Sequence, residues 1–222
     1  MTRTDGNTHP LLLPPGFRAL CTEAAPPGET APWEAALRAA AADADPGCVF
    51  WSGAGGRCRV GFVFAPDRPL RGPGVLLSLG ALALHDALAV LAPPNRPLHI
   101  LPPDGLAVNA GRAATLRAAL APLPVPAEAG APPGEGVSAG EGVPEWAVLG
   151  LDLAVDLQAP APGETPDETC LAEEGFDAVA PAEVVTQLCR YLLFWISVWQ
   201  DEGDAALDKA VSKRAAQPVT AA

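Results

Sequence analysis

Residues 145–157, EWAVLGLDLAVDL, restrict the fold of this chain more than any other stretch. Their apolar residues fill both alternating sets of positions, so a strand built from them turns apolar side chains to both faces. Such a strand needs cover above and below, which places it inside a sheet flanked by helices. Asp152 breaks the pattern. A carboxylate on this strand must either face solvent or meet a cation, and Arg112 or Arg117 on a neighbouring strand is the expected partner in the second case.

The remaining segments supply that cover. A helix is expected over residues 30–44, with Thr30 as N-cap, Pro32 in the first turn and Glu34 suited to the helix dipole. Asp45-Pro46-Gly47 stops it. Strands are expected at 48–51 and 58–64, joined by a glycine-rich loop, Ser52-Gly53-Ala54-Gly55-Gly56-Arg57, that ends in a cation. Residues 75–91 read as a strongly apolar helix interrupted only by His85 and Asp86. Residues 98–120 read as one β-hairpin with Asn109-Ala110-Gly111 at its tip and Pro102-Pro103-Asp104 at its entry. Helices at 181–200 and 204–214 follow; the first carries Leu188, Tyr191, Leu192, Trp195, Ile196 and Trp199 nearly all round, so it is buried on more than one side. The order of elements predicts an α+β fold, a mixed β-sheet flanked by helices. One domain is expected over 16–214, with an extended segment at 1–15 and a tail at 215–222. Residues 122–144, rich in proline and glycine, are expected to form a flexible loop.

Composition narrows the function classes. The chain has 222 residues, 49% of them apolar, enough for one sizeable core. A net charge of −12 opposes binding to nucleic acid or to an anionic membrane surface. The start, MTRTDGNTHP, lacks a secretory pattern, and the apolar runs near 75–84 and 191–199 fall short of a membrane span. Five cysteines without a C-x-x-C spacing fit reduced thiols, so a cytoplasmic protein is expected. The histidines and acids show no metal-ligand spacing. Lys209 and Lys213 are the only lysines.

The order of pieces resembles the catalytic domain of biotin and lipoate protein ligases. Thr169-Cys170-Leu171-Ala172-Glu173-Glu174-Gly175 is similar to the family's T-S-L…E-x-G segment, and FWISVWQDEG (194–203) to its helix-plus-EG ending. LGLDLA (149–154) sits where the family carries G-I-G-I-N. The expected hairpin sits where it carries K-W-P-N-D and then K-L-A-G, and SGAGGRCR (52–59) falls on its G-R-G-R-x-G-R loop. LPPGF (13–17) and LAEEGF (171–176) resemble a divergent, alphaproteobacterial-type branch. The likeness spans residues 10–214.

This resemblance implies a two-step reaction. An acid such as biotin or lipoate attacks ATP, and the acyl adenylate then modifies a lysine of a carrier domain. It implies Gly55, Gly56, Arg57, Arg59, Asp104, Arg112, Gly150 and Asp152 as ligand-binding residues. The chain also departs from the family. Ile100 or Leu101 replaces the lysine before the lost tryptophan, and Gly111 replaces the second-strand lysine unless a slip brings Arg112 there. Asp152 replaces a glycine, and Ala154 replaces an asparagine.

Each candidate has a plainer reading beside the functional one. Arg57 and Arg59 either anchor a phosphate or carboxylate or sit at a solvated loop. Asp104 either touches ribose or metal or caps its turn. His85 reads as a satisfied half-buried histidine; His99, on the first hairpin strand, is somewhat better placed for chemistry. Cys170 reads as a buried structural thiol, with a thiol nucleophile as the alternative. Two classes of function stay open: a divergent ligase or acyltransferase, and a catalytically silent relative that binds a carboxylic acid, a nucleotide or a protein.

Overall fold

The structure, a computed structural model, describes residues 11–21, 31–122, 142–156, 167–176 and 179–215. The lead-in before residue 11, the Thr30 cap, most of the expected loop at 122–144, most of the loop at 158–168 and the tail after residue 215 lie outside the described residues. Eleven elements follow in order: β1 (Arg18–Cys21), α1 (Ala31–Ala41), β2 (Cys48–Ser52), β3 (Arg57–Phe64), α2 (Gly74–Leu91), β4 (Leu98–Leu101), β5 (Gly105–Val108), β6 (Gly111–Leu120), β7 (Ala147–Ala154), α3 (Pro181–Glu202) and α4 (Asp204–Arg214). The strands form one sheet in the order β1-β2-β3-β7-β6-β5-β4. Only the β1–β2 pair is parallel, so the sheet is mixed, as expected.

β7 is the middle strand, and its burial explains why. Leu149 on one face packs against Gly80 of α2, while Gly150 on the other faces Trp33 of α1. A strand covered on both sides has to be apolar on both sides. Helices α2 and α3 cover one face with the main core, which includes Leu82, Leu84, Leu116, Leu149, Leu188 and Leu192. The shorter α1 covers part of the other face through Ala36 and Ala40, against Val63 and Val148.

Three expectations need correction. Residues 98–120 are not one hairpin but three antiparallel strands: Leu98–Leu101 folds back on Gly105–Val108 through the cis Pro102–Pro103 turn. Pro-Pro-Asp is thus a reversal and not an entry, while Asn109 and Ala110 do make the tip of the β5–β6 turn. Arg57 begins β3, and the preceding loop is a short 3-10 turn at Ala54–Gly56. The four-residue edge strand β1 was not anticipated.

At 18 residues and a mean hydropathy of 1.9, α2 is also long and apolar enough, by composition, to cross a membrane. Half of it is buried inside the protein, where it packs on the sheet and on α3, so it serves here as a core helix.

Candidate functional site

The candidate site lies on the α1 face, beyond the end of that helix. Alternation on β3 puts Arg57 and Arg59 on the same side as Gly61, which meets α1. Register then lines up Arg59, Asp152 and Thr115 across three neighbouring strands, with Gly61, Gly150 and Arg117 in the next row. The sheet itself thus collects one row holding a cation and a carboxylate, and a second holding Arg117 beside two glycines, from segments far apart in sequence.

Both arginines of β3 converge on Asp152. Arg57 Nε donates to Oδ1 at 2.6 Å, and Arg59 Nε donates to Oδ2 at 3.4 Å. The three side chains are only 25–29% exposed, which strengthens their attraction relative to a surface pair. One carboxylate against two guanidinium groups leaves a net positive centre. The partners expected from sequence, Arg112 and Arg117, are not the ones found. Arg112 instead reaches over Gly105, whose missing side chain leaves the space its guanidinium fills, toward Asp104 at 3.5 Å. Arg117 is exposed and has no hydrogen bond or ion pair among the described residues.

Little space remains between these groups. A Cβ on Gly150 would stand 2.4 Å from Trp33 Cε3, so the indole lies directly on that glycine. The gap bounded by Trp33, Arg59, Arg117, Gly150 and Asp152 holds about 10 Å³, room for roughly one water molecule. A second gap between Arg57, Arg112, Thr115, Asp152 and Glu168 holds about 50 Å³. In sequence Trp33 is simply one residue of the helix expected over 30–44. Its role as a wall depends on the glycine opposite, which no local pattern reveals.

The other sequence candidates sort clearly. Gly55 takes φ 66°, a conformation that suits glycine, and the Gly56 carbonyl accepts from Val155 N at 2.9 Å and Asp156 N at 2.8 Å. These glycines therefore brace the end of β7 from the rim of the site. The 167–175 segment closes the opposite rim: Arg112 N donates to Asp167 O at 2.8 Å, and Thr169 N to Arg112 O at 3.0 Å. Glu174 is occupied there by Asn109 Nδ2 and by Thr169 Oγ1, the latter at 2.8 Å. Cys170 is 1% exposed, which fits a structural thiol and not a presented nucleophile. His99 is on β4, an edge strand three places from β7. No group of three or more His, Cys, Asp or Glu that could hold a metal occurs among the described residues.

Behind the site, burial pushes the Cys58 thiol up to about 12, helped by the nearby Asp152 charge, and burial alone does the same for Cys189. Further away, Asp86 joins three helices: it accepts from Trp195 Nε1 at 3.0 Å and Arg214 Nε at 3.2 Å, and pairs with His85 Nδ1 at 2.9 Å. Burial opposes its ionisation, but His85, Arg214 and Trp195 together hold the carboxyl below the usual range. His85 is thus a paired structural side chain.

The profile of the biotin/lipoate A/B protein ligase family matches residues 13–213, and the chain belongs to that family. Among solved structures, it is similar to a biotin protein ligase-like protein of unknown function from Silicibacter sp. TM1040. The two are 27% identical with a TM-score of 0.74, over 93% of this chain and 81% of that one. The Aquifex aeolicus biotin protein ligase in complex with biotin and ATP shares the fold at 11% identity and a TM-score of 0.59, over 81% of this chain and 73% of that one. The Leishmania major biotin protein ligase in complex with biotin does so at 12% and 0.62, over 94% and 84%. No match was found among curated proteins.

Proposed function

We propose that this protein is a divergent ligase-like member of its family that binds a biotin- or lipoate-like carboxylic acid, ATP or both on the arginine face, without the standard ligase reaction. The observation that carries the reading is the engagement of Arg57 and Arg59 by the chain's own Asp152. An internal carboxylate already holds two cations that an anionic ligand would otherwise meet, while Arg117 beside them is exposed and has no hydrogen bond or ion pair among the described residues. The resemblance places Ile100 or Leu101, and Gly111, where the family carries lysine. Loss of one preorganised charge stabiliser commonly lowers a rate by about 10²–10³-fold, so several such losses together remove a phosphoryl-activating reaction. Relatives solved with biotin and with ATP supply the ligand classes to test. The cytoplasm is the compartment that suits both the thiols and these ligands.

A second reading keeps catalysis. Arg112 stands one residue from the second lysine position and turns its guanidinium onto the same face, beside Asp104. In that case the protein forms an acyl adenylate with arginine in place of lysine and passes the acyl group to a carrier-domain lysine.

A thermal-shift screen of ATP, biotin, lipoate and octanoate tests the binding claim, because selective binding raises the melting temperature. The reading predicts a saturable shift for at least one of them that is lost in an Arg59→Ala, Arg117→Ala double variant. Shifts that are absent in the parent protein, or unchanged in the double variant, overturn it.

A further inference from the structure

The last two helices leave a groove on the outside of the protein. α3 ends at Glu202 and α4 begins at Asp204, with Gly203 at φ 77° between them. Arg214, in the last turn of α4, lies 5.1 Å from the ring centre of Trp195 on α3, so α4 folds back along α3. The groove between them encloses about 290 Å³. Phe194, Trp195 and Val198 line it from α3, and Ala206 and Ala210 are too small to fill it from α4. Phe194 is 54% exposed and stands edge-on to Trp195 at 5.2 Å. An aromatic ring left in solvent beside a buried one is an apolar patch without cover.

The charge along this groove is unlike that of the rest of the chain. Lys209 and Lys213, the only lysines in a chain of net charge −12, line it one helical turn apart on α4. Both are exposed, and neither has a hydrogen bond or ion pair among the described residues. The acids around them do not neutralise them. Asp86 is held by Arg214, and Asp204 is taken by the Trp199 indole at 2.7 Å and faces Arg71 at 3.8 Å. Asp208 lines no part of the groove. Glu202 does line it, but it makes no ion pair with either lysine, and it sits at the turn, two helical turns from Phe194 or about 12 Å. The end away from the turn therefore combines an exposed aromatic surface with unpaired positive charge.

We propose that this groove docks an acidic amphipathic helix of another protein. An apolar side chain of that helix meets Phe194 and Trp195, and two carboxylates one turn apart meet Lys209 and Lys213. Charge complementarity selects this occupant. A second copy of the chain brings a charge of −12 of its own, and an anionic membrane meets the same long-range repulsion. α3 covers the sheet face opposite the arginines, so the proposal stands independently of the function proposed for that site.

The probe is a set of fluorescein-labelled helical peptides of about four turns, roughly 14 residues, with glutamates at i and i+4 and leucine or phenylalanine at varied positions of the adjoining face. At least one should raise its anisotropy saturably below about millimolar protein. Lys209→Ala and Lys213→Ala should each weaken the best peptide by about two- to fivefold, the range of an exposed ion pair, as should glutamine at either glutamate. Phe194→Ser should weaken it by about fivefold or more. All three positions are exposed, so the variants should remain folded by circular dichroism. If no peptide binds the parent, or if the best one binds the Phe194→Ser and Lys209→Ala, Lys213→Ala proteins equally well, the proposal falls. It also falls if light scattering finds a dimer that Phe194→Ser abolishes, which makes a second copy the occupant, or if phosphatidylglycerol vesicles bind through the same residues. Phe194→Ser should keep the parent's thermal shifts with small acids and ATP, so failure here and failure at the arginine face are read separately.

Discussion

Replacing Asp152 with asparagine separates a structural clamp from a ligand site in one experiment. The change keeps the shape and removes the charge that Arg57 and Arg59 share at 2.6 and 3.4 Å. At those separations and an effective dielectric near 20, each pair attracts by about 5–6 kcal/mol before desolvation. Desolvation and residual exposure of about a quarter remove most of that. Hydrogen bonds to charged groups retain about 1.5–3 kcal/mol each, and asparagine still accepts one of them. A net loss of about 2 kcal/mol is therefore expected, together with a fall in Tm of roughly 4–8 °C for a chain of this size. The freed guanidinium groups then form an anion site. Pyrophosphate should stabilise the Asp152→Asn protein more than the parent, by about 2.7 kcal/mol at a hundredfold excess over its dissociation constant. Scanning calorimetry with and without pyrophosphate reads both effects. An unchanged Tm, or equal stabilisation of both proteins, would refute the clamp.

Other perturbations test neighbouring parts of the account. Trp33→Ala should open the space over Gly150 and let the arginine face accept bulkier carboxylates than the parent does, as compared by calorimetric titration with acids of increasing size. Asp86→Asn should cost about 2–3 kcal/mol through its lost charge-assisted hydrogen bonds. Because the folded carboxyl lies below the ordinary range, that contribution is complete above the unfolded value of about 4 and is lost as pH falls through the folded value. Urea unfolding from pH 7 downward should therefore show the parent–variant gap closing only below about pH 4. Cys58 and Cys189, pushed to about 12, should resist iodoacetamide in the native protein at pH 8 and react after unfolding, as read by mass spectrometry. Cys170→Ser should leave ligand binding intact.

The elements that sequence made legible are those whose burial is written into a local period. β7 was readable because apolar residues fill both of its faces, and α3 because its apolar residues run nearly all round. The β4–β5 reversal is hidden because Leu98–Leu101, three apolar residues and His99, looks the same before Pro-Pro-Asp whether the chain turns back there or runs on. β1, with four residues, is too short to show a period. The site itself was half legible. Arg57, Arg59 and Asp152 were each singled out, yet Asp152 was expected to pair with Arg112 or Arg117. Its true partners lie 95 and 93 residues away, and only the β3–β7 register brings them together. That register is set by packing α1 against Gly61 and Gly150, an agreement between distant segments that no single stretch records.

Acid-dependent pyrophosphate release from ATP tests the central claim most directly. With biotin, lipoate or octanoate supplied in turn to the purified protein, release should stay at the level seen without any acid. Saturable release that depends on one of these acids and is lost in Arg112→Ala would contradict the account and establish an arginine-assisted ligase in its place.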